Sequence, residues 1–320
     1  MKILMTGSDG FIGSHMKERL GTNHEIIPLK SDLRNHDAIR EEIRNAQPDV
    51  IVHLAARTEV EKSFYEQITF SDINYTGTVN LIECARQEVP NLQNFVFAST
   101  MEVYGWQPVS DTIRTGMMGM LNGDDFEPYW IFDENTPPNP NAPYAVAKYG
   151  CEKYLEYVGR SFDFPFTVLR QTNTYGRKDN NFFVVEQMIY QMLTRENVEF
   201  GYGTPYRNFI WIEDLLDAWQ VIIENPDKVK GELFCVGPPN AIQIERLAQV
   251  IAEKIGFTGE IQWHRKRERP GEIWLLNSSH GKLTSMLDWE PKVSLDEGLD
   301  KTIEIWRDIL SNNKNFKDDY

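Results

Sequence analysis

The chain is poor in cysteine and histidine, with three of the first and six of the second in 320 residues. Cys84, Cys151 and Cys235 stand far apart, which suits buried thiols in a reducing compartment rather than a disulfide framework. The histidines show no metal-ligand spacing, so no metal is expected. Positive charge is also in deficit: 33 Lys and Arg against 48 Asp and Glu leave a formal net charge of −15. Nucleic-acid binding needs clustered cations to neutralise phosphates, so that partner class is excluded, whereas a local basic pocket for a small anion is not. No apolar run approaches the length of a bilayer crossing, and the chain opens on a short apolar segment rather than a signal peptide. A cytoplasmic protein with no membrane partner is the expectation. Internal repeats and low-complexity linkers are missing too.

What is present begins at once. Met1 to Met5 is an apolar run of strand length, followed by Thr6-Gly7-Ser8-Asp9-Gly10-Phe11-Ile12-Gly13. A helical pattern continues through Ser14, Met16 and Leu20. A strand that turns sharply into a helix aims the unpaired N–H groups of the helix, and its dipole, at whatever lies above the turn. Gly7 permits the tight turn, Gly10 lets the backbone approach phosphates, and Gly13 lets helix and strand pack closely. With a strand before it and a helix after it, the triplet points to a dinucleotide.

Along the chain, strands and helices alternate. A second strand runs from His24 to Leu29 and an amphipathic helix from His36 to Ala46, with Ile39 and Ile43 inward. Asp49 to Ala56 reads as a third strand, and its near-continuous apolar character suits a sheet covered on both faces. A helix from about Ile73 to Gln87 and a fourth strand from Asn94 to Ala98 follow. The pattern predicts a βαβ array with right-handed crossovers. Further on, the spacing predicts helices over 183–193, 214–223, 243–255 and 295–309, with strands over 207–212 and 233–236. Residues 311–320 are polar and expected to fray.

The chemistry is expected at the carboxyl end of the fourth strand, where ligands bind in open α/β sheets. There stands Ser99-Thr100-Met101-Glu102-Val103-Tyr104-Gly105. Thr100 and Glu102, two apart in an extended segment, would project to one side. Tyr144 and Lys148, four apart at the start of a long helix, would be neighbours on one face. An ammonium there would stabilise a phenolate and lower the tyrosine pKa from about 10.

Glycines 7, 10 and 13, then Leu54-Ala55-Ala56, Ser99-Thr100 with Val103-Tyr104-Gly105, and Tyr144 with Lys148 together resemble the extended short-chain dehydrogenase/reductases. More narrowly, they resemble the NAD-dependent sugar-nucleotide epimerase/dehydratases, over nearly the whole chain. The resemblance implies a doubly wound parallel-sheet Rossmann domain over 1–172, with 207–237 returning to it, and a smaller α/β substrate domain over most of 173–320. It places the cofactor on Gly7, Gly10, Phe11, Ile12 and Gly13, on Lys30, Asp32 and Leu33, on Leu54, Ala55 and Ala56, and on Asn74. Tyr144 and Lys148 would complete that site. Asn173, Arg207 and Arg269 would hold the substrate diphosphate, for which the planar guanidinium is suited.

The implied reaction is transient oxidation of a hexose C4 hydroxyl on a nucleoside diphosphate, with Tyr144 as base, Lys148 as its support and Thr100 on the reacting oxygen. Glu102 suits chemistry at C5, whereas Met101 has no proton to give to a departing C6 hydroxyl. The epimerase, 4,6-dehydratase and hexuronate decarboxylase branches therefore stay open. The short link from the second strand to Asp32-Leu33-Arg34-Asn35 resembles 4-keto-sugar reductases that use NADPH. Lys30 suits the extra phosphate of NADP, and Asp9 would repel it, so NAD and NADP both stay open. A non-catalytic dinucleotide sensor is the more distant alternative. The long 106–143 stretch, with Trp106, Met117, Met118, Met120 and Trp130, reads as a substrate cover, a packing insertion or an oligomer contact. The resemblance also implies a homodimer through the helices after Ile73 and Tyr144, with Cys84 and Cys151 near the interface.

Overall fold

The first apolar run forms β1 (Lys2–Thr6), and later runs supply β2 (Glu25–Pro28), β3 (Val50–His53), β4 (Asn94–Thr100), β5 (Phe166–Gln171) and β6 (Glu232–Val236). In the computed structural model, which describes residues 1–107, 130–178, 180–263 and 270–312, these strands make one sheet in the order β6-β5-β4-β3-β1-β2. Every neighbouring pair is parallel. The helices of ten or more residues are α1 (Phe11–Leu20), α2 (His36–Ala46), α3 (Gly77–Glu88), α4 (Pro143–Phe162), α5 (Val184–Thr194), α6 (Ile212–Ile223), α7 (Ile244–Ile255) and α8 (Leu295–Asn312).

Strand alternation divides the core between the two faces of the sheet. Leu4, Ile51, Phe95 and Phe97 pack with Ile39 and Ile43 of α2, Leu81 of α3 and Leu155 of α4. Ile3, Met5, Val50, Val52 and Val96 face the other way, toward Met16 and Leu20 of α1 and Leu215 and Trp219 of α6. All seven residues of β4 are buried. Each large apolar side chain so placed contributes roughly 1.5–3 kcal/mol. The order of winding reverses at β1, which lies between β2 and β3, so a crevice opens at the carboxyl ends of β1 and β3.

Three boundaries differ from the sequence expectation. β3 stops at His53, because the next two N–H groups, of Leu54 and Ala55, turn to the Thr6 hydroxyl at 3.2 and 3.0 Å. The helix expected from Ile73 starts earlier, with Gln67–Ser71 running through a π-helical turn, Asp72–Thr76, into α3. The strand expected over 207–212 is broken at Asn208. Tyr206–Arg207 pairs with Ile242–Gln243 and Leu275–Leu276, whereas Phe209–Trp211 pairs with Asn173–Tyr175. Asn208 is fully buried at that kink, where its side chain donates to the Pro238 carbonyl at 2.8 Å.

His53 locks the tip of β3 from within. Its Nδ1 lies 2.7 Å from the Thr6 hydroxyl and its Nε2 lies 2.8 Å from the Thr78 hydroxyl. Thr78 donates to the Asn74 carbonyl at 2.7 Å, so it accepts from Nε2–H and the ring is the neutral Nε2–H tautomer. Burial holds the His53 pKa well below the ordinary 6.5, and the charge of Lys148 adds to this. The unfolded chain takes up that proton below about pH 6.5 and the folded chain does not, so stability falls as the pH drops through that value. The thermal midpoint should decline between about pH 7.5 and about pH 5.5, and His53→Gln should flatten the slope. Equal slopes in the two proteins would place the acid sensitivity elsewhere.

Candidate active site

β1 ends at Thr6, and Gly7 turns the chain into α1 at φ +68°, where a Cβ would stand 2.8 Å from the Ala55 nitrogen. A Cβ on Gly13 would lie 2.0 Å from the Gly7 carbonyl oxygen. Gly10 caps α1 without a side-chain hydrogen bond, and no acidic residue occupies the first turn. Phe11 and Ile12 thus bring N–H groups that have no intrahelical partner and no competing side chain. The turn fits an anionic pyrophosphate. Asp9 points to solvent, 3.6 Å from Lys17.

At the end of β2 the structure brings in a carboxylate that the sequence reading did not single out. The Lys30 N–H donates to Glu42 at 3.0 Å and the Ser31 hydroxyl donates to the same carboxylate, while the Lys30 side chain is exposed. Asp32 accepts from Arg34 at 3.0 and 2.6 Å, which holds its carboxyl at about 2. Leu33 is buried against Gly77. Leu54, Ala55 and Ala56 are half-buried beside the glycine turn. The amide of Asn74 clasps the Arg57 backbone, accepting from N–H at 2.8 Å and donating to the carbonyl at 2.9 Å. It braces the loop after β3.

The acid–base residues meet at the end of β4. Pro143 starts α4, which buries Tyr144, Lys148 and Glu152, four apart, along one face. Opposite them, Met101–Tyr104 forms a 3₁₀ turn capped by Thr100, whose Oγ1 accepts the Glu102 N–H at 3.2 Å. That turn, rather than an extended segment, brings Thr100 and Glu102 to the same place. The Thr100 side chain hydrogen-bonds the Tyr144 phenol, and the Glu102 carboxylate acts on it electrostatically. Met101 is buried among Val103, Phe132 and Ile273.

The expected lowering of the tyrosine pKa is corrected. Burial raises the Tyr144 phenol above its ordinary value, Glu102 raises it further, and only the Thr100 hydrogen bond opposes them. Lys148 is buried with its Nζ donating to the Ala98 carbonyl at 2.7 Å and standing 4.7 Å from the Phe97 ring centroid. Burial brings its ammonium down to about 8. The ammonium is drawn to a strand-end carbonyl, and desolvation dominates both groups.

The residues expected to hold a diphosphate are less of a unit. Asn173 is exposed, with its Nδ2 donating to the Asn208 carbonyl at 3.3 Å. Arg207 is buried and donates to Glu272 at 3.0 Å and to the Tyr206 carbonyl at 2.8 Å. Arg269 lies outside the described residues, as do Met117, Met118 and Met120. Asn141, three residues before Tyr144, donates to the Gly271 carbonyl at 2.8 Å and so ties the second half to the start of α4. Sequence reasoning also missed Arg177, whose guanidinium is sandwiched 4.3 Å from the Phe11 ring centroid and 3.8 Å from that of Phe183. Glu152 was findable, since it continues the four-residue spacing of Tyr144 and Lys148.

A family model described as "NAD dependent epimerase/dehydratase family" matches residues 3–237. The chain belongs to that family. Over 326 residues it is 28% identical to a putative UDP-glucose 4-epimerase of Methanocaldococcus jannaschii, covering 94% of this chain and 97% of the relative. Over 347 residues it is 26% identical to the human dTDP-D-glucose 4,6-dehydratase, covering 98% and 92%. Among solved structures, UDP-glucose 4-epimerase of Thermotoga maritima with UDP-glucose superposes with a TM-score of 0.83 at 26% identity, covering 97% of this chain and 100% of that one. The expected likeness to extended short-chain dehydrogenase/reductases and the parallel-sheet Rossmann architecture are borne out. Among the described residues no helix is long and apolar enough to cross a membrane, and no cluster of His, Cys, Asp and Glu could hold a metal.

The glycine turn yields a direct check on the family's cofactor. Gly13→Ala should weaken NAD binding tenfold or more, a loss of about 1.4 kcal/mol or greater, measured by fluorescence titration. Unchanged affinity would take the turn out of the cofactor site.

Proposed function

We propose that this protein oxidises the C4 hydroxyl of a hexose carried on a nucleoside diphosphate, using NAD, and works on through the 4-keto sugar. The observation that carries the reading is the convergence of Thr100, Glu102 and Tyr144 at the end of β4, with Lys148 one helical turn along. The similar proteins named above are a putative 4-epimerase and a 4,6-dehydratase of nucleotide sugars, which supports the same chemistry here.

The backbone at Gly7, Gly10, Phe11, Ile12 and Gly13 would take the pyrophosphate, and Leu54 to Ala56 would floor the crevice. Bound there, the nicotinamide group supplies reversible two-electron redox chemistry at the sugar carbon. The chain's own residues move the proton. Tyr144 Oη accepts the proton of the C4 hydroxyl, and Thr100 holds the same oxygen. A phenol raised by burial resists ionisation, and the Thr100 hydrogen bond is what opposes that rise, while the Lys148 ammonium one turn away is held by the Ala98 carbonyl. The carboxylate of Glu102 stands beside the phenol as a base for a neighbouring carbon. Met101, buried in the core, contributes no acid, so epimerisation and dehydration both remain within the reading, as does decarboxylation of a hexuronate.

The second half, 173–320 apart from the 207–237 return, would bind the substrate. Arg207 would exchange the Glu272 carboxylate for the diphosphate, with Asn173 and Arg269 beside it. The carboxylate of Glu42 at the end of β2 disfavours a 2′-phosphate, so NAD is preferred to NADP despite Lys30. That weighs against the NADPH-dependent 4-keto-sugar reductase, and an aligned acid–base set has no use in a mere dinucleotide sensor.

A homodimer belongs to the same proposal. Ile68 is 86% exposed, Val146 54% and Phe162 50%, an apolar surface on α4 and the helical segment leading into α3. Cys84 and Cys151 are fully buried inside the chain, with Cys84 donating to the His36 carbonyl at 3.6 Å and Cys151 to the Asn74 carbonyl at 3.2 Å.

The product mass from a panel of nucleotide-hexoses and nucleotide-hexuronates decides the branch: loss of water for dehydration, loss of carbon dioxide for decarboxylation, unchanged mass with shifted retention for epimerisation. Tyr144→Phe should cut turnover by roughly 100-fold or more, and NAD should support it better than NADP. Near-normal turnover in that variant would overturn the mechanism. Light scattering should give twice the chain mass; a monomer would remove the dimer.

A further inference from the structure

Beneath the Tyr144–Lys148 face lies an ionic cluster that the chemistry above does not use. Arg170 of β5 is 3% exposed and Glu152 of α4 is 0% exposed. Two arms of the guanidinium reach the carboxylate, Nε to Oε1 at 3.1 Å and Nη2 to Oε2 at 2.6 Å. The Ser99 hydroxyl donates to the same carboxylate. The third arm, Nη1, donates to Tyr104 Oη at 2.8 Å, and that hydroxyl donates to the Asp133 carbonyl at 2.6 Å.

A buried ion pair is a poor means of mere stabilisation, because well-packed apolar residues of similar volume serve as well. Its geometry is more informative. Glu152 is the third rung of the face that carries Tyr144 and Lys148. Ser99 lies between Ala98, which holds Lys148 by its carbonyl, and Thr100, which hydrogen-bonds Tyr144. Tyr104 ends the turn that carries Glu102. The far side of that turn is fixed as well: Gly105 sits at φ +50°, and a Cβ there would meet the Asn139 carbonyl oxygen at 1.9 Å. One guanidinium is therefore bonded at once to the helix with the proton-accepting phenol and to the turn with the carboxylate.

We infer that Arg170 is a positioning residue that sets the register between the Tyr144–Lys148 face of α4 and the Glu102 turn, with arms on each. The inference rests on the proposed function. Arg170 touches neither substrate nor cofactor, so its loss lowers the rate through misalignment while binding stays nearly intact.

Two variants separate the arms. Tyr104→Phe keeps Arg170 on Glu152 and removes its link to the turn, together with the hydroxyl's bonds to the Asp133 carbonyl and the Cys235 thiol. Arg170→Lys keeps a buried positive charge beside Glu152 but lacks the fork that reaches both elements. In the NAD-bound enzyme, Tyr104→Phe should lower kcat about tenfold, with KM and NAD affinity within about twofold. Arg170→Lys should lower kcat further, and the double variant should lose no more than Arg170→Lys alone. Wild-type kcat in Tyr104→Phe, a parallel rise in KM and NAD dissociation constant, or additive losses would overturn the inference. Should Arg170→Lys fail to fold, Tyr104→Phe alone decides. An inactive wild type that still binds NAD would count against the proposed function, and amide hydrogen exchange then decides the inference. Tyr104→Phe should speed exchange both in 101–105 and in 144–148; a change confined to 101–105 would overturn it.

Discussion

The Thr6 hydroxyl at the tip of β1 is the small contact on which the rest depends. It accepts the N–H groups of Leu54 and Ala55 and pairs with the His53 ring. Those bonds end β3 level with β1 and press the following loop against the glycine turn, where Gly7 leaves no room for a side chain beside Ala55. Two parallel strands that end together at a reversal of winding leave a crevice, and helix α1 opens into it. The neutral His53 carries the same constraint inward to Thr78 and Asn74, so the floor of the crevice is coupled to the start of α3.

The second constraint is desolvation. Against the end of β4 helix α4 buries a phenol and an ammonium one turn apart, and burial opposes the charge of both. A site so arranged keeps its proton in place until neighbouring charges change, and its tuning falls to groups within a few ångströms. The carbonyl of Ala98 and the Glu152–Arg170 pair below are such groups. They are dry, multiply bonded and hence rigid, which suits a reaction in which the proton acceptor and the carboxylate must keep one geometry.

The two halves of the chain are joined at the site itself. Asn141 bonds Gly271, Phe132 forms a bridge with Ser278 and donates to the Asn277 carbonyl at 2.7 Å, and Glu134 accepts the Cys235 N–H at 2.7 Å. Arg177 stacks on Phe11, at the mouth of the glycine turn. The segment that leads into the helix carrying Tyr144 is thereby tied to the second half of the chain.

What the sequence determined by itself is local. Short, near-continuous apolar runs specified β1, β3 and β4 and therefore a parallel sheet, and Gly7, Gly10 and Gly13 specified the turn, because each depends on neighbours within a few residues. The four-residue spacing of Tyr144 and Lys148 specified a shared helical face for the same reason. Tertiary structure decided the rest. Thr6 ended β3 from 48 residues away, and Asn208 broke a strand whose apolar pattern looked continuous. Arg207, suited by type to a diphosphate, met Glu272, 65 residues further on. The direction of the Tyr144 shift turned on how deeply the phenol is buried and on where the Lys148 ammonium points, and Arg170, Glu152 and Tyr104 met only once β5, α4 and the 3₁₀ turn were packed. A charge carries its environment's sign only after folding has set the dielectric and the partners around it.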